Sequence, residues 1–269
     1  MPETGTERNV RRAHAFLYSS GVLRDLTAKE PKGAISICDA DDINDSGQIT
    51  GRDFRMRAIL YSNQTVVRLG GLTPDGYSVP RRINARGEVV GMAKSGDGHE
   101  HAFLYSNGKM IDLGTLGGSD SNASDINASG TVVGWSITAG GGHAFLYSQG
   151  TMHDLGVPTG SRGSGASAIN SLGQIVGDAD IPSEEKPDTR PPAGPDVADR
   201  GINATPTHVF LYDHGLWIDL DKRVDLSKTA LREMFKAEAI NDAGQIAGQA
   251  MGADGYHGFL LTPKTVSGN

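Results

Sequence analysis

The sequence predicts an all-β protein, a β-propeller of five four-stranded blades. Three observations carry that prediction. A His-Ala-Phe-Leu-Tyr-like segment recurs six times along the 269 residues. An Ile-Asn-x-x-Gly segment recurs five times between those copies. The apolar runs are short, β-branched or aromatic, and punctuated by Gly, Asn, Asp and Ser, and the 37 glycines are roughly twice the usual share. A repeat of about 43 residues holding four such runs matches the size of one propeller blade.

The innermost strand, A, is the run ending in Ile-Asn. Its small residues, such as Ala40, Ala123, Ala166 and Ala237, suit the crowded axis of a propeller. The Asn-x-x-Gly that follows is turn chemistry, as in Asn44 to Gly47 and Asn127 to Gly130. Strand B is the Gly-bounded apolar run, as in Val132-Val133-Gly134. Strand C is the His-Ala-Phe segment: His14-Ala15-Phe16, Arg57-Ala58-Ile59, His101-Ala102-Phe103, His143-Ala144-Phe145, His208-Val209-Phe210 and His257-Gly258-Phe259. Strand D carries an Asp-Leu pair at Asp25, Asp112, Asp154 and Asp219, with Arg68 in the Asp position of one unit. The count is one strand more than five blades need. Closure is expected by pairing the N-terminal strands with the last A-B pair, which protects sheet edges; a sixth partial blade is the alternative.

These motifs resemble the HAF family of bacterial repeat proteins, whose repeat is named for the His-Ala-Phe strand. The resemblance spans residues 13 to 261 and implies a propeller-like fold without implying one chemistry. Members of that family are usually extracellular. Residues 1–12 and 263–269 read as tails around a single domain, 13–262. Residues 180–205 form a Pro-rich insertion containing Pro187, Pro191 and Pro195. From Ser227 to Lys236 the sequence reads as a short helix, with Leu231, Met234 and Phe235 on one apolar face.

Composition narrows the function. The lone Cys38 excludes an intramolecular disulfide. A net charge of −7 without a basic cluster predicts no nucleic-acid partner. No apolar run reaches membrane-spanning length, so no membrane partner is expected. The opening residues lack a secretory pattern, giving a cytoplasmic expectation, or an extracellular one if a leader was removed. No phosphate-cradling Gly-rich loop precedes a helix, so no nucleotide cofactor is expected and the cofactor expectation is none; no G-x-S-x-G nucleophile elbow occurs either.

The sites are expected where the blades differ. Just before each Ile-Asn the A strands carry Asp41-Asp42, Arg81-Arg82, Ser124-Asp125, Ser167-Ala168 and Glu238-Ala239. A funnel lined by Asp41, Arg81, Asp125 and Glu238 opposes carboxylates to a guanidinium and suits acid-base chemistry. Asp42, Arg82, Tyr77 and Phe235 are the expected ligand-binding neighbours. The predicted function is therefore a cofactor-independent cyclase, lyase or hydrolase acting on a small molecule at the funnel mouth decorated by the insertion. The alternative is a non-catalytic propeller that binds glycans or proteins. The C-strand histidines are expected to be strand-end hydrogen bonders, since equivalent positions of different blades diverge from the axis. No metal ligands are assigned, although Asp42, Asn44, Ser46, Gly47 and Asp53 approximate a calcium-loop spacing.

Overall fold

A computed structural model describes residues 14–27, 37–181 and 207–264, which hold 21 strands in six antiparallel sheets. The N-terminal tail, most of the insertion and the last five residues lie outside the described residues. Strands β1 (Phe16–Ser19) and β2 (Val22–Asp25) form a hairpin. Four-stranded sheets follow: β3 (Ile37–Ile43), β4 (Ile49–Asp53), β5 (Ala58–Ser62) and β6 (Thr65–Arg68); then β7 (Ser78–Ile83), β8 (Val89–Lys94), β9 (Glu100–Ser106) and β10 (Lys109–Asp112). The third holds β11 (Ser121–Ile126), β12 (Val132–Thr138), β13 (Gly141–Ser148) and β14 (Thr151–Asp154). The fourth holds β15 (Gly163–Ile169), β16 (Ile175–Asp180), β17 (Thr207–Asp213) and β18 (Leu216–Asp219). The last has three strands: β19 (Leu231–Ile240), β20 (Ile246–Gly252) and β21 (Tyr256–Leu261).

Every full sheet runs in the order A, B, C, D. The A strands β3, β7, β11, β15 and β19 each pack beside the next, so they form the inner wall. Consecutive sheets bury one apolar core between each pair. One core joins Ala58 and Leu69 to Val89 and Phe103; the next joins Val90 and Ala102 to Ala123 and Phe145. The β1–β2 hairpin stacks on the first sheet in the same way, through Ala15, Ile37 and Ile59. It occupies the place that a C-D pair takes in each four-stranded sheet.

The Asn of each turn does two jobs. Asn127 Oδ1 accepts the N–H groups of Ser129 and Thr131, closing the A-B turn. Its Nδ2 donates to the Asn170 carbonyl of the next sheet at 3.2 Å. The same bond links Asn44 to Asn84, Asn84 to Asn127 and Asn170 to Asn241. A relay of buried or half-buried amides thus staples five successive sheets on one face.

Each A strand also carries a β-bulge at one equivalent position. The pairing skips Asp41, Arg81, Ser124, Ser167 and Glu238. The bulge presses the A-strand backbone onto strand B, and this explains the recurring B-strand glycine. A Cβ on Gly51, Gly91, Gly134, Gly177 or Gly248 would lie 1.9–2.1 Å from an A-strand carbonyl oxygen.

Two expectations are corrected. The N-terminal strands do not complete the last sheet: the C position beside β20 is filled by β21, and β1 pairs only with β2 among the described residues. A strand a few residues away along the chain closes its hairpin at far lower entropic cost than one more than 200 residues distant. Phe16 is consequently 64% exposed, whereas the matching Phe103 and Phe145 are fully buried. The helix expected at Ser227 to Lys236 is instead a single 3-10 turn, Leu226–Lys228, followed by β19. Good helix formers yield here because β20 offers a hydrogen-bond ladder and the adjoining core takes Met234 and Ala237.

Candidate functional site

The bulges decide where the charged A-strand residues go. Asp41 and Arg81 are the inserted residues of their bulges, and Asp42, Arg82 and Asp125 resume the pairing. A bulge re-aims the side chains beside it. Asp41 lies within electrostatic range of Arg52, Asp39, Arg81 and Asp42. Arg52, on β4, forms an ion pair with Asp39 and lies 3.8 Å from Asp41. Arg82 Nε lies 4.0 Å from Asp125 Oδ1. Five of the six acidic and basic residues expected in the funnel are therefore brought together on the first three A strands. Sequence reasoning missed Asp39 and Arg52; the signal was the β3–β4 register that sets them opposite one another.

Asp41 stands out chemically. Burial pushes its carboxyl up to about 6, against the opposing pull of the Arg52 guanidinium. Asp41 Oδ2 and Arg52 Nε are both shielded, face each other beyond hydrogen-bond range, and have no hydrogen-bond partner. The side chain still keeps 19% of its surface exposed. Burial likewise raises Asp125, but this carboxylate has a bonded role. Its Oδ2 accepts the Ile169 N–H of the next sheet at 2.9 Å. Asp42 does the same for Ile83 at 2.9 Å. These two are clamps between neighbouring sheets as well as members of the cluster.

The remaining expected residues lie apart. Glu238 forms an ion pair with Lys236 at 2.5 Å and accepts from Gln249, all within the last sheet. Tyr77 donates its hydroxyl to Glu100, a C-strand residue of its own sheet. Phe235 sits on β19 and packs edge-to-face on Tyr256 with ring centroids 5.6 Å apart. Cys38 is half-buried; burial and the nearby Asp39 raise its thiol, which opposes nucleophile activation. The cluster lies near the A-B turns, whereas Asp180 and Thr207, the paired strand ends that the Pro-rich insertion joins, are at the opposite end of their sheet. The expectation of a charged cluster at the mouth beside the insertion is corrected accordingly.

The calcium-like spacing resolves into other bonds. Asn44 Oδ1 accepts Ser46 and Gln48 N–H groups, and Asp42 holds Ile83. Asp53 accepts from Arg55, Arg57 and Arg68; burial raises its carboxyl, but these donors outweigh burial and hold it low. Four of the five C-strand histidines pair with the last residue of strand D in the same sheet, while His257 pairs with Asp254 just before its own strand. Nδ1 to carboxylate distances are 2.7 Å for His14–Asp25, 3.0 Å for His101–Asp112, 2.9 Å for His143–Asp154 and 3.1 Å for His208–Asp219. Where the C strand begins with Arg57, the D strand ends in Arg68, which turns to Asp53 instead.

No protein-family model matches the sequence, and no curated protein matches it. Solved structures do. A protein assigned as TolB from Agrobacterium tumefaciens aligns with 90% of this chain and 80% of its own, at 9% identity and a TM-score of 0.50. TolB from Acinetobacter baumannii aligns with 90% of this chain and 59% of its own, at 15% identity and a TM-score of 0.45. A protein assigned as a gluconolactonase aligns over 90% and 78%, at 11% identity and a TM-score of 0.43. At these identities the likeness reaches the fold alone, and the fold is that of a β-propeller.

Proposed function

We propose that this protein acts on a small polar molecule at the axial cluster of Asp39, Asp41, Arg52, Arg81 and Arg82, by cofactor-independent acid-base chemistry of the hydrolase, lyase or cyclase type. The observation that carries this reading is Asp41. A carboxyl raised to about 6 divides between its acid and base forms near neutral pH, which is what a proton-transferring group needs. Its neighbouring guanidinium groups suit a ligand with a carboxylate or another anionic oxygen. Hydroxy-acids fit that chemistry better than neutral sugars do. The blade count belongs to the same reading: five units with an A strand, and the β1–β2 hairpin as the outer half of a sixth.

The test is a thermal-shift series on wild type, Asp41→Asn and Arg81→Ala with malate, citrate, gluconate and glucose. Hydroxy-acid binding is expected to raise the melting temperature of wild type only. Equal shifts in all three proteins, or a shift with glucose alone, would remove the axial cluster as the site. A binding-only propeller has one observation in its favour. Phe16, Tyr18, Val22 and Leu23 on the N-terminal hairpin are apolar and exposed, beside a strand edge with no partner among the described residues, as a protein-docking edge would be.

A further inference from the structure

The repeat provides its own control for unusual positions, and one unit departs from it at the outer end of strand D. In each unit the first C-strand amide after the His or Arg needs an acceptor. Ala58, Ala102 and Ala144 donate to the hydroxyls of Ser78, Ser121 and Ser164 at 2.8–2.9 Å. Ala15 donates to Thr27 at 2.9 Å. In the fourth sheet Val209 donates instead to a carboxylate, Asp221 Oδ2, at 2.8 Å. Thr27 and Asp221 occupy the same position, two residues beyond the D-strand Asp. A neutral hydroxyl satisfies the amide in those four units, so the backbone alone does not require a charge there.

The charge has a consequence for its surroundings. Asp221 joins the His208–Asp219 pair, and one ligand atom from each of the three residues lies within 4.8 Å of the others. His208 Nδ1 and Asp219 Oδ2 are 3.1 Å apart, close to the separation of two ligands on one tetrahedral ion with bonds near 2.0–2.2 Å. A carboxylate has about four acceptor positions, so holding the Val209 and Met234 amides still leaves Asp221 capacity for a cation. His101 shows what is special here. It too touches two carboxylates, but Asp112 lies on Nδ1 and Asp97 on Nε2, so the two cannot share an ion with it.

We infer that His208, Asp219 and Asp221 form a binding site for a borderline divalent cation of the zinc class. One imidazole and two carboxylates give three ligands of the nitrogen and oxygen type that such ions take, with a further position open. On binding, the His208 Nδ1 lone pair goes to the ion and the ring proton resides on Nε2, so a neutral imidazole needs no net proton loss. Lys222 Nζ, 3.2 Å from Asp219, competes for the same carboxylate. Its side chain is 72% exposed and is free to swing into solvent.

The experiment is calorimetric titration of the chelator-treated full chain with Zn2+, with visible absorption of the Co2+ form as a second readout. Wild type is expected to take one ion tightly. Asp221→Thr restores the Thr27 arrangement, should keep the fold, and is expected to weaken the ion at least about tenfold. Lys222→Gln is expected to tighten it several-fold. His143→Gln, which alters a His–Asp pair lacking a third carboxylate, is expected to leave binding unchanged. Should Asp221→Thr fail to fold, Asp221→Asn reads the same difference. Absence of zinc binding in wild type, equal affinity in Asp221→Thr or Asp221→Asn, or loss of the ion in His143→Gln would overturn the site.

Discussion

At the residue scale, Asp41 ties the proposed acid-base chemistry to stability with opposite signs. A carboxyl near 6 in the folded chain and near 4 in the unfolded one binds more protons when folded. Its contribution to stability is complete below about pH 4 and is lost as pH rises through about 6. Asp41→Asn removes that loss. The variant should match wild type near pH 4 and exceed it by about 1–2 kcal/mol at pH 8, as read by urea unfolding across the range. It should lose the hydroxy-acid response at the same time. Asp53 and Asp219 are held low, so they contribute the opposite slope; for Asp219 burial pulls upward but His208 and Lys222 outweigh it. The difference between wild type and variant isolates Asp41 from both. The charge of this cluster was legible in the sequence because the repeat exposes its exceptions. Arg52 was not, because an arginine on strand B signals nothing until the register sets it opposite Asp39.

At the scale of the element, the hairpin between C and D is made the same way five times. Both turn residues have positive φ: Ser20-Gly21, Asn63-Gln64, Asn107-Gly108, Gln149-Gly150 and His214-Gly215. Only Asn63-Gln64 lacks the glycine that this type I′ geometry favours. Gln64→Gly is therefore expected to stabilise the protein by about 0.5–1 kcal/mol in thermal or urea unfolding. The bulge gives the reverse prediction. Gly134→Ala places a methyl 2.0 Å from the Asn122 carbonyl and should cost about 3 kcal/mol or more. Gly142→Ala, with nothing within 4 Å, is its control and should cost little. Strand order and the Asn-x-x-Gly turns were readable because they depend on residues close in sequence. The bulge was not, since it is a mismatch in length between two strands. The helix expected at 227–236 failed for a related reason. Local propensity was sound, but a neighbouring strand and an apolar core outside the segment decided the outcome.

At the scale of the molecule, stability is distributed through interfaces between successive sheets. Each interface between two sheets that hold an A strand has an apolar core and an Asn bond across it. Asn127 is buried and serves both its own turn and the Asn170 carbonyl, whereas Asn241, at the end of the relay, is exposed. Asn127→Ala is expected to cost about 2–4 kcal/mol and Asn241→Ala about 1 kcal/mol or less, in paired denaturation measurements. The terminal sheets escape this reciprocity, and sequence periodicity could not reveal it. A His-Ala-Phe strand reads alike whether its phenylalanine is covered, as Phe145 is, or open, as Phe16 is.

The relay of asparagines also has a direction. Each of the three inner units gives an amide to its successor and a carbonyl to its predecessor, so they present the same plug and the same socket. The four junctions are therefore interchangeable as hydrogen bonds, and a unit moved from one inner position to another would meet the same donor and the same acceptor. What differs from unit to unit lies elsewhere, in residues such as Asp41 and Asp221 on which the two proposals rest.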